Sequence, residues 1–560
     1  MLVTGLTRVP CKHLYLLTTI SSLKGLDTMF DKKKITFWGC CAVLLFGAAP
    51  SFAAQADAKP AAVAPGAMPR VGTVDERFQS YNVEAVEVTG GRFWKPYDAP
   101  ASAAPANTSG SGPAMPGGMD ASLYEYRKPI DLGNARLRKL AAALGPAYLR
   151  VSGTWMNSTY FQDSDAVAPA TPPKGFNSVL TRQQWKGVVD FSKTVDAKIV
   201  TSVATSAGTR DAAGVWTPDQ AKLLLAYTKA IGGSIAAAEY MNEPTFAEIG
   251  GAPKGYDAAA FAKDFAVFQK LIKSDAPGII VLGPGGVGEG TALVPVFMHP
   301  VKSDDILTAA GPVFDAFSYH SYGGVSSRCG RMGASATSTS DAALSEEWLS
   351  RPVKAEAYYA DIRDRLLPGK QIWNTETAQA ACGGDRWAKT FVDSFRYLNQ
   401  LGSLAKVGVQ VQLHNTLAAS DYGLLDEKTY EPRPNYWSAL LWRRLMGTTV
   451  LDAGPSPTPS LHLYAQCLRG TPGGVTLLAI NTDKAAPTSL VIPAGAETYT
   501  LTAKDLLGST VDLNGSELKL GAGDALPKLK GKPVKAGNVT FAPASISFLA
   551  FSKAGNASCQ

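Results

Sequence analysis

From about residue 130 the chain keeps switching between two hydrophobic periods. Leu137, Leu140, Ala141 and Leu144 recur at helical spacing, and the apolar run Ala147–Val151 that follows reads as a strand. Thr181-Arg182-Gln183-Gln184 is a capping box that opens another helix, ahead of strand Ile199–Val203. Thr217-Pro218-Asp219-Gln220 is a second start signal, with Pro218 at the first helical position and a helix to about Ala230. A strand over residues 235–241 comes next, then Phe261, Phe265, Phe268 and Ile272 at helical spacing. Gly278–Leu282, Phe314–Tyr319, Gln371–Thr375 and Val407–Leu413 are further strand runs, and Phe78–Val88 supplies a first strand. Eight strands separated by helical patterns predict an α/β fold, a (β/α)8 TIM barrel over residues 76–447.

After Gly447 the texture changes. Leu461–Cys467, Val475–Asn481, Ser489–Ile492, Tyr499–Thr502, Val511–Leu513 and Ser545–Phe551 are short runs between Gly, Pro and Asp turns. They predict a C-terminal β-sandwich over residues 448–560. Residues 55–75 are Ala/Pro-rich and read as disordered, and the Pro/Ala/Ser/Gly-rich stretch 98–118 reads as a long loop inside the barrel region.

The first 54 residues read as a leader. Lys32-Lys33-Lys34, the apolar run Ile35–Ala49 and the small-x-small site Ser51-Phe52-Ala53 form a secretory signal, with Met29 as a candidate start. The apolar run is too short for a membrane span, no later segment is long and apolar enough for one, and Cys40 precedes that run, which argues against a lipid anchor. The expectation is export, to the periplasm or outside the cell. The formal net charge of +7 falls to +3 without the leader's six Lys/Arg and two Asp, so charge gives no argument for nucleic acid or membrane partners. Cys329, Cys382, Cys467 and Cys559 remain beyond the leader. An even set in an exported chain predicts two disulfides, and chain position favours Cys329–Cys382 and Cys467–Cys559. A metal site is the alternative, without a C-x-x-C or clustered His to support it.

The chemistry centres on Ala236-Ala237-Ala238-Glu239-Tyr240-Met241-Asn242-Glu243-Pro244. Pro244 cannot join a ladder and disfavours helix before it, so Asn242 and Glu243 are left at the carboxyl end of the fourth strand. Glu376 closes the seventh predicted strand, and His320 and Tyr322 close the sixth. Carboxyl ends of barrel strands are where catalysis is built, and two carboxyls across one mouth suit glycosidic cleavage. Tyr322 is placed to hydrogen-bond Glu376 and keep it ionised, and Asn242 to bond a sugar hydroxyl. Each residue alone has a plainer reading, a turn with a solvated Glu or a Glu paired with an Arg.

With these residues in place the chain resembles the heparanase-type glycoside hydrolases, family 79, as an exported bacterial member. The resemblance runs from about Phe78 through Gly145-Pro146-Ala147-Tyr148-Leu149-Arg150-Val151-Ser152-Gly153-Thr154, Glu239-Tyr240-Met241-Asn242-Glu243-Pro244 and Trp373-Asn374-Thr375-Glu376-Thr377. It continues through Cys382-Gly383-Gly384, Asp421-Tyr422-Gly423-Leu424-Leu425-Asp426 and Pro434-Asn435-Tyr436-Trp437, with Ala479-Ile480-Asn481 and Cys559 near the C-terminus. It implies a retaining β-glucuronidase on a barrel with a β-sandwich, with Glu243 as acid/base and Glu376 as nucleophile. Backbone N–H groups of Gly383 and Gly384 and the hydroxyl of Tyr422 would hold the sugar carboxylate, with Thr154, Asn242, His320 and Tyr322 in the same subsite. Two positions depart from the family: Glu84 stands where heparanase has Asp, and His414 where the eighth strand has Gln. Both would touch the sugar ring. A Cys329–Cys382 disulfide would pin the Gly383-Gly384 loop.

The expected partner is a glucuronide-containing carbohydrate, with no metal, cofactor, nucleic acid, stable membrane anchor or protein partner implied. Alternatives are a retaining glycosidase for a neutral or 4-O-substituted sugar, a non-hydrolytic glycan-binding protein, and a purely structural exported protein. Arg328, Arg331 and Arg386 fall in loops near the cleft and read either as receivers of sulfate or carboxylate groups or as solvated surface.

Overall fold

The computed structural model describes residues 61–98, 121–291, 300–332 and 336–560; the leader and all but Asp98 of the low-complexity stretch 98–118 lie outside them. Eight parallel strands close into a barrel: β1 (Gln79–Glu84), β2 (Ala147–Ser152), β3 (Ala197–Ser202), β4 (Ile235–Glu239), β5 (Ile280–Val287), β6 (Ala316–Val325), β7 (Gln371–Ala381) and β8 (Val409–His414). Closure comes from β8 on β1, with Gln412, Leu413 and His414 beside Gln79, Ser80 and Tyr81. The outer ring holds α1 (Ala135–Ala143), α2 (Arg182–Thr194), α3 (Asp219–Ala230), α4 (Ala258–Asp275), α5 (Ser303–Ala310), α6 (Arg351–Leu366), α7 (Phe391–Lys406) and α8 (Pro434–Leu445). The capping box at Thr181 and Gln184 is formed at the start of α2, and Phe261, Phe265, Phe268 and Ile272 make the buried face of α4.

The strands end where local chemistry stops them. β1 ends at Glu84 instead of continuing to Val88, because Glu84 and Glu87 cap each other and turn Ala85–Thr89 into a short helix. β4 ends at Glu239, so Asn242 and Glu243 sit on the loop beyond it. β6 and β7 run past the rim, pairing Tyr322 with Ala378, Gly324 with Ala380 and Val325 with Ala381. Glu376 therefore lies within β7 and not at its end, in the last barrel layer before a two-stranded extension that the Cys329–Cys382 disulfide ties just past its tip.

The C-terminal region is a large antiparallel sheet packed against a two-stranded one, Thr488–Ile492 with Gly537–Phe541. Val475–Asn481 lies in the large sheet and is buried along its whole length because both faces are covered. Leu478 and Ile480 join the core shared with the barrel helices, while Leu477 and Ala479 pack towards the small sheet. Cys467 and Cys559 are bonded.

Residues 61–75 correct the expectation of disorder. Arg70–Thr73 is the edge strand beside Met446–Leu451; further back, the Val63 N–H donates to the Val491 carbonyl and the Val491 N–H to the Ala61 carbonyl, which ties residues 61–63 to the small sheet, and Val63 and Met68 are buried between the sheets. Ala/Pro composition is compatible with an edge, where Pro costs no ladder partner.

Candidate active site

Inside the barrel the period of two sorts side chains into layers. Tyr148, Ala237, Ala316 and Trp373 form an apolar plug with Val200 and Leu282. Two residues further along β2, β4, β6 and β7 come Arg150, Glu239, Ser318 and Thr375, and these are polar and buried. Glu239 accepts from Ser318 Oγ and Thr375 Oγ1 at 2.8 Å each, and from Arg150 Nη2 at 2.8 Å. A charge with this many fixed donors repays its desolvation. Burial pushes the Glu239 carboxyl up, but Arg150 and the hydrogen bonds outweigh it, and the group is held below the usual range.

Arg150 is the hub of the next layer. It donates from Nη1 to Glu376 Oε2 at 2.7 Å and from Nη2 to Asn242 Oδ1 at 2.8 Å, and Nη2 lies 3.2 Å from His320 Nε2. Burial opposes its charge, and the carboxylates of Glu239 and Glu376 more than restore it, so Arg150 is a permanent cation. Tyr322 donates to the other oxygen of Glu376, Oε1, at 2.5 Å, and Asn415 Nδ2 reaches Tyr322 at 3.1 Å and Tyr422 Oη at 3.3 Å. Burial, chiefly, and the nearby Glu376 charge push both phenols well above their usual range, so they remain neutral donors.

Glu243 stands opposite. Its φ of +49° is a left-handed conformation that a non-glycine residue rarely adopts, forced where the loop turns into Pro244. The loop is pinned by a reciprocal pair: Asn157 Nδ2 donates to the Asn242 carbonyl and the Asn242 N–H to Asn157 Oδ1, both at 2.9 Å. Glu243 Oε1 lies 3.0 Å from His320 Nδ1. Burial raises the Glu243 carboxyl; the Glu376 charge adds to this, and the His320 hydrogen bond works against it. Side-chain atoms of Glu243, His320 and Glu376 lie within 4.8 Å of one another. An approach this close belongs with carboxyl pairs about 5–5.5 Å apart, in which one attacks the sugar directly, and not with pairs about 6.5–9.5 Å apart that leave room for a water.

The other candidates fall in different places. Glu84 is buried under β2, its Oε2 only 1.5 Å from where a Cβ on Gly153 would sit, so Gly153 (φ +92°) is what makes room for it. Burial and the Glu376 charge raise Glu84 well above the usual carboxyl range. Thr154 is at the rim, partly buried. His320 is fully buried beneath Glu243 and not on the cleft wall. Gly383 (φ +81°) leaves no space for a side chain, since its Cβ would meet Trp94 at 2.6 Å. The Gly384 N–H donates to the Ala380 carbonyl at 3.2 Å, which corrects the expectation that both glycine amides are free for a ligand.

His414 is a second correction. Val411 and Leu413 point into the barrel, so His414 points out, edge-on to Tyr397 of α7, with Nε2 2.8 Å from the Tyr422 carbonyl. Asn415, one residue on, takes the cleft position. Burial lowers the His414 pKa to about 3, and it is neutral. Arg328 is also committed: it stacks on Tyr97 at 4.0 Å and donates to Asp421 Oδ2 at 2.6 Å. Arg386 pairs with Asp98 at 2.7 Å, and the side chain of Arg331 lies outside the described residues.

Arg150, Glu239, Asn157 and Asn415 belong to the site without having been singled out from sequence. For the first two a signal existed: a charge at an inward position of a buried strand needs a partner.

No family model matches the chain. Heparanase-like protein 1 of Arabidopsis thaliana is 28% identical over 380 residues, 63% of this chain and 65% of that protein, so the match spans just under two thirds of that relative. Heparanase of Mus musculus is 27% identical over 510 residues, 79% of this chain and 90% of its own length. Baicalin-β-D-glucuronidase of Scutellaria baicalensis is 26% identical over 469 residues, 75% of this chain and 83% of its own. Among solved structures, a 4-O-α-L-rhamnosyl-β-D-glucuronidase from Fusarium oxysporum superposes with a TM-score of 0.58 at 11% identity, covering 87% of this chain and 99% of that one. At that identity the superposition speaks for the fold.

Proposed function

We propose, for a chain that belongs to the heparanase-type glycoside hydrolases of family 79, cleavage of β-glucuronides in glycans or glycosides with net retention of configuration. The observation that carries the reading is the unequal pair of carboxyls. Glu376 has both oxygens engaged by donors, Arg150 and Tyr322, which favours the ionised nucleophile. Glu243 is raised by burial and the facing charge, which favours the protonated acid.

In the first step a Glu376 oxygen attacks the anomeric carbon while Glu243 gives its proton to the departing glycosidic oxygen. The bond to the leaving group breaks and a glycosyl ester on Glu376 forms. In the second, water attacks the same carbon, Glu243 takes its proton, and the ester bond to Glu376 breaks. Arg150 then again neutralises the freed carboxylate. Selection for a uronic acid over a neutral sugar rests on Tyr422 and the Gly383 amide, neutral donors that meet an anion without a full charge to desolvate. Export is part of the same reading. It is supported by two disulfides and by the leader pattern, and among the described residues no helix is long and apolar enough to cross a membrane.

Release of nitrophenol from its β-D-glucuronide and β-D-glucoside by the wild type and Glu376→Gln is the test. Turnover of the glucuronide alone, lost in the variant, is the expected result. Turnover of the glucoside at equal rate would remove the uronic-acid assignment, and undiminished activity of Glu376→Gln would remove the mechanism.

A further inference from the structure

We infer that His320, fixed by Arg150 as the Nδ1–H tautomer, positions the acidic proton of Glu243 on the oxygen that His320 does not hold, Oε2. This rests on the acid/base reading of Glu243. Four charged groups face the buried imidazole: Arg150 from β2, Glu239 from β4, Glu243 from the loop after β4, and Glu376 from β7. Arg150 Nη2 lies 3.2 Å from His320 Nε2. A guanidinium has hydrogens and no lone pair to offer, so a hydrogen on Nε2 would point at another donor. Nη2 has two hydrogens for three acceptors, Glu239 Oε2, Asn242 Oδ1 and His320 Nε2, and shares one of them. Nε2 is therefore the bare nitrogen, and the Glu239 carboxylate, 3.9 Å away, is too far to recruit a hydrogen onto it.

The proton then sits on Nδ1, which points at Glu243 Oε1 across 3.0 Å, with Glu376 Oε2 at 3.8 Å. Oε1 is an acceptor in this bond. When Glu243 is protonated, its own hydrogen is left on Oε2, since a carboxylic acid accepts best at its carbonyl oxygen and Oε1 is the oxygen that Nδ1–H holds. The same oxygen thus gives the proton to the leaving group and takes it back from water, while Oε1 remains bound to His320. His320 touches no substrate atom in this scheme. It is a positioning residue whose effect appears only in the steps that need proton transfer.

Leaving-group dependence separates this role from simple packing. The glycosylation rate, read as kcat/KM, is measured on phenyl and on dinitrophenyl β-D-glucuronide for the wild type, Glu243→Ala, His320→Ala, His320→Asn and His320→Gln. The phenolate of the first needs a proton to leave and that of the second does not. Glu243→Ala is expected to lose about 10²–10⁴-fold on the phenyl substrate and far less on the dinitrophenyl one, the range for a general acid. His320→Ala is expected to show the same asymmetry with a smaller loss, on the order of 10–10²-fold. His320→Asn, which returns an amide donor near the Nδ1 position, should recover part of the phenyl rate, and His320→Gln, whose amide reaches the Nε2 position, should not. Equal loss on both substrates in His320→Ala, or equal rates for the Asn and Gln variants should the Ala variant not fold, overturns the inference while Glu243→Ala still discriminates. Equal loss in Glu243→Ala itself removes the acid assignment, and the inference with it.

Discussion

Arg150 Nη1 lies 2.7 Å from Glu376 Oε2, and both side chains are almost wholly buried. The same guanidinium holds Glu239, so one cation serves two carboxylates on opposite sides of the barrel. Removing it leaves two buried charges unmatched, a loss of about 3–5 kcal/mol for a broken buried pair. Arg150→Met is expected to lower Tm sharply. Arg150→Met with Glu239→Gln, which removes one stranded charge, should recover much of the stability and little of the activity. A melt and a kcat measurement on both variants check this. Recovery of kcat along with Tm would make Arg150 a structural residue only.

Glu243 predicts the shape of the pH profile. Its carboxyl is raised by burial and by Glu376, so the protonated form persists to higher pH than in a free carboxyl. Activity needs Glu243 protonated and Glu376 ionised. The rate should therefore fall on the alkaline side as Glu243 loses its proton. Glu243→Ala, assayed on an activated aryl glucuronide, should lose the alkaline limb. An alkaline limb that survives the substitution would assign it to another group.

The barrel was legible because its period is strong: the alternation of runs from Ala147 to Leu413 located seven strands, and the separate run from Phe78 located the first. Glu243 was legible for a different reason, since Pro244 marks the end of the strand run just after it. What sequence could not show is direction at a strand end. His414 and Asn415 are adjacent and both polar, and only the inward register of Val411 and Leu413 decides that Asn415 enters the cleft. Asn157 lies eighty-five positions from Asn242, and no local pattern couples them. Residues 61–75 looked disordered by composition, and their partners, Met446–Leu451 for residues 70–73 and Val491 for Ala62, lie in the distant C-terminal sheets.

The Cys329–Cys382 disulfide closes a loop of 53 residues between the ends of β6 and β7. Closing a loop of that length stabilises by about 4 kcal/mol in the chain-entropy model. Its position next to Gly383 adds a functional consequence. Cys329→Ser with Cys382→Ser should lower Tm and raise KM for an aryl glucuronide more than it lowers kcat, because the groups released are those for the sugar carboxylate. A fall in kcat at constant KM would place the disulfide's effect at Glu376 instead.

His414 predicts acid lability. Its folded pKa is about 3 because burial excludes the charged ring, against about 6.5 in an unfolded chain. The unfolded state therefore binds the extra proton first as pH falls. The sign follows: above about pH 6.5 His414 is neutral in both states and contributes no pH dependence, and below it the folded state loses about 1.4 kcal/mol per pH unit until the folded pKa is reached. His414→Gln places an amide nitrogen where Nε2 now faces the Tyr422 carbonyl and does not titrate. Denaturant unfolding from pH 7 to pH 4.5 should show a steeper loss for the wild type than for His414→Gln, by about 2–3 kcal/mol over that range. Parallel curves would mean that the ring gains its proton in the folded state, through a hydrogen-bonding environment other than the buried contact with Tyr397 and Tyr422.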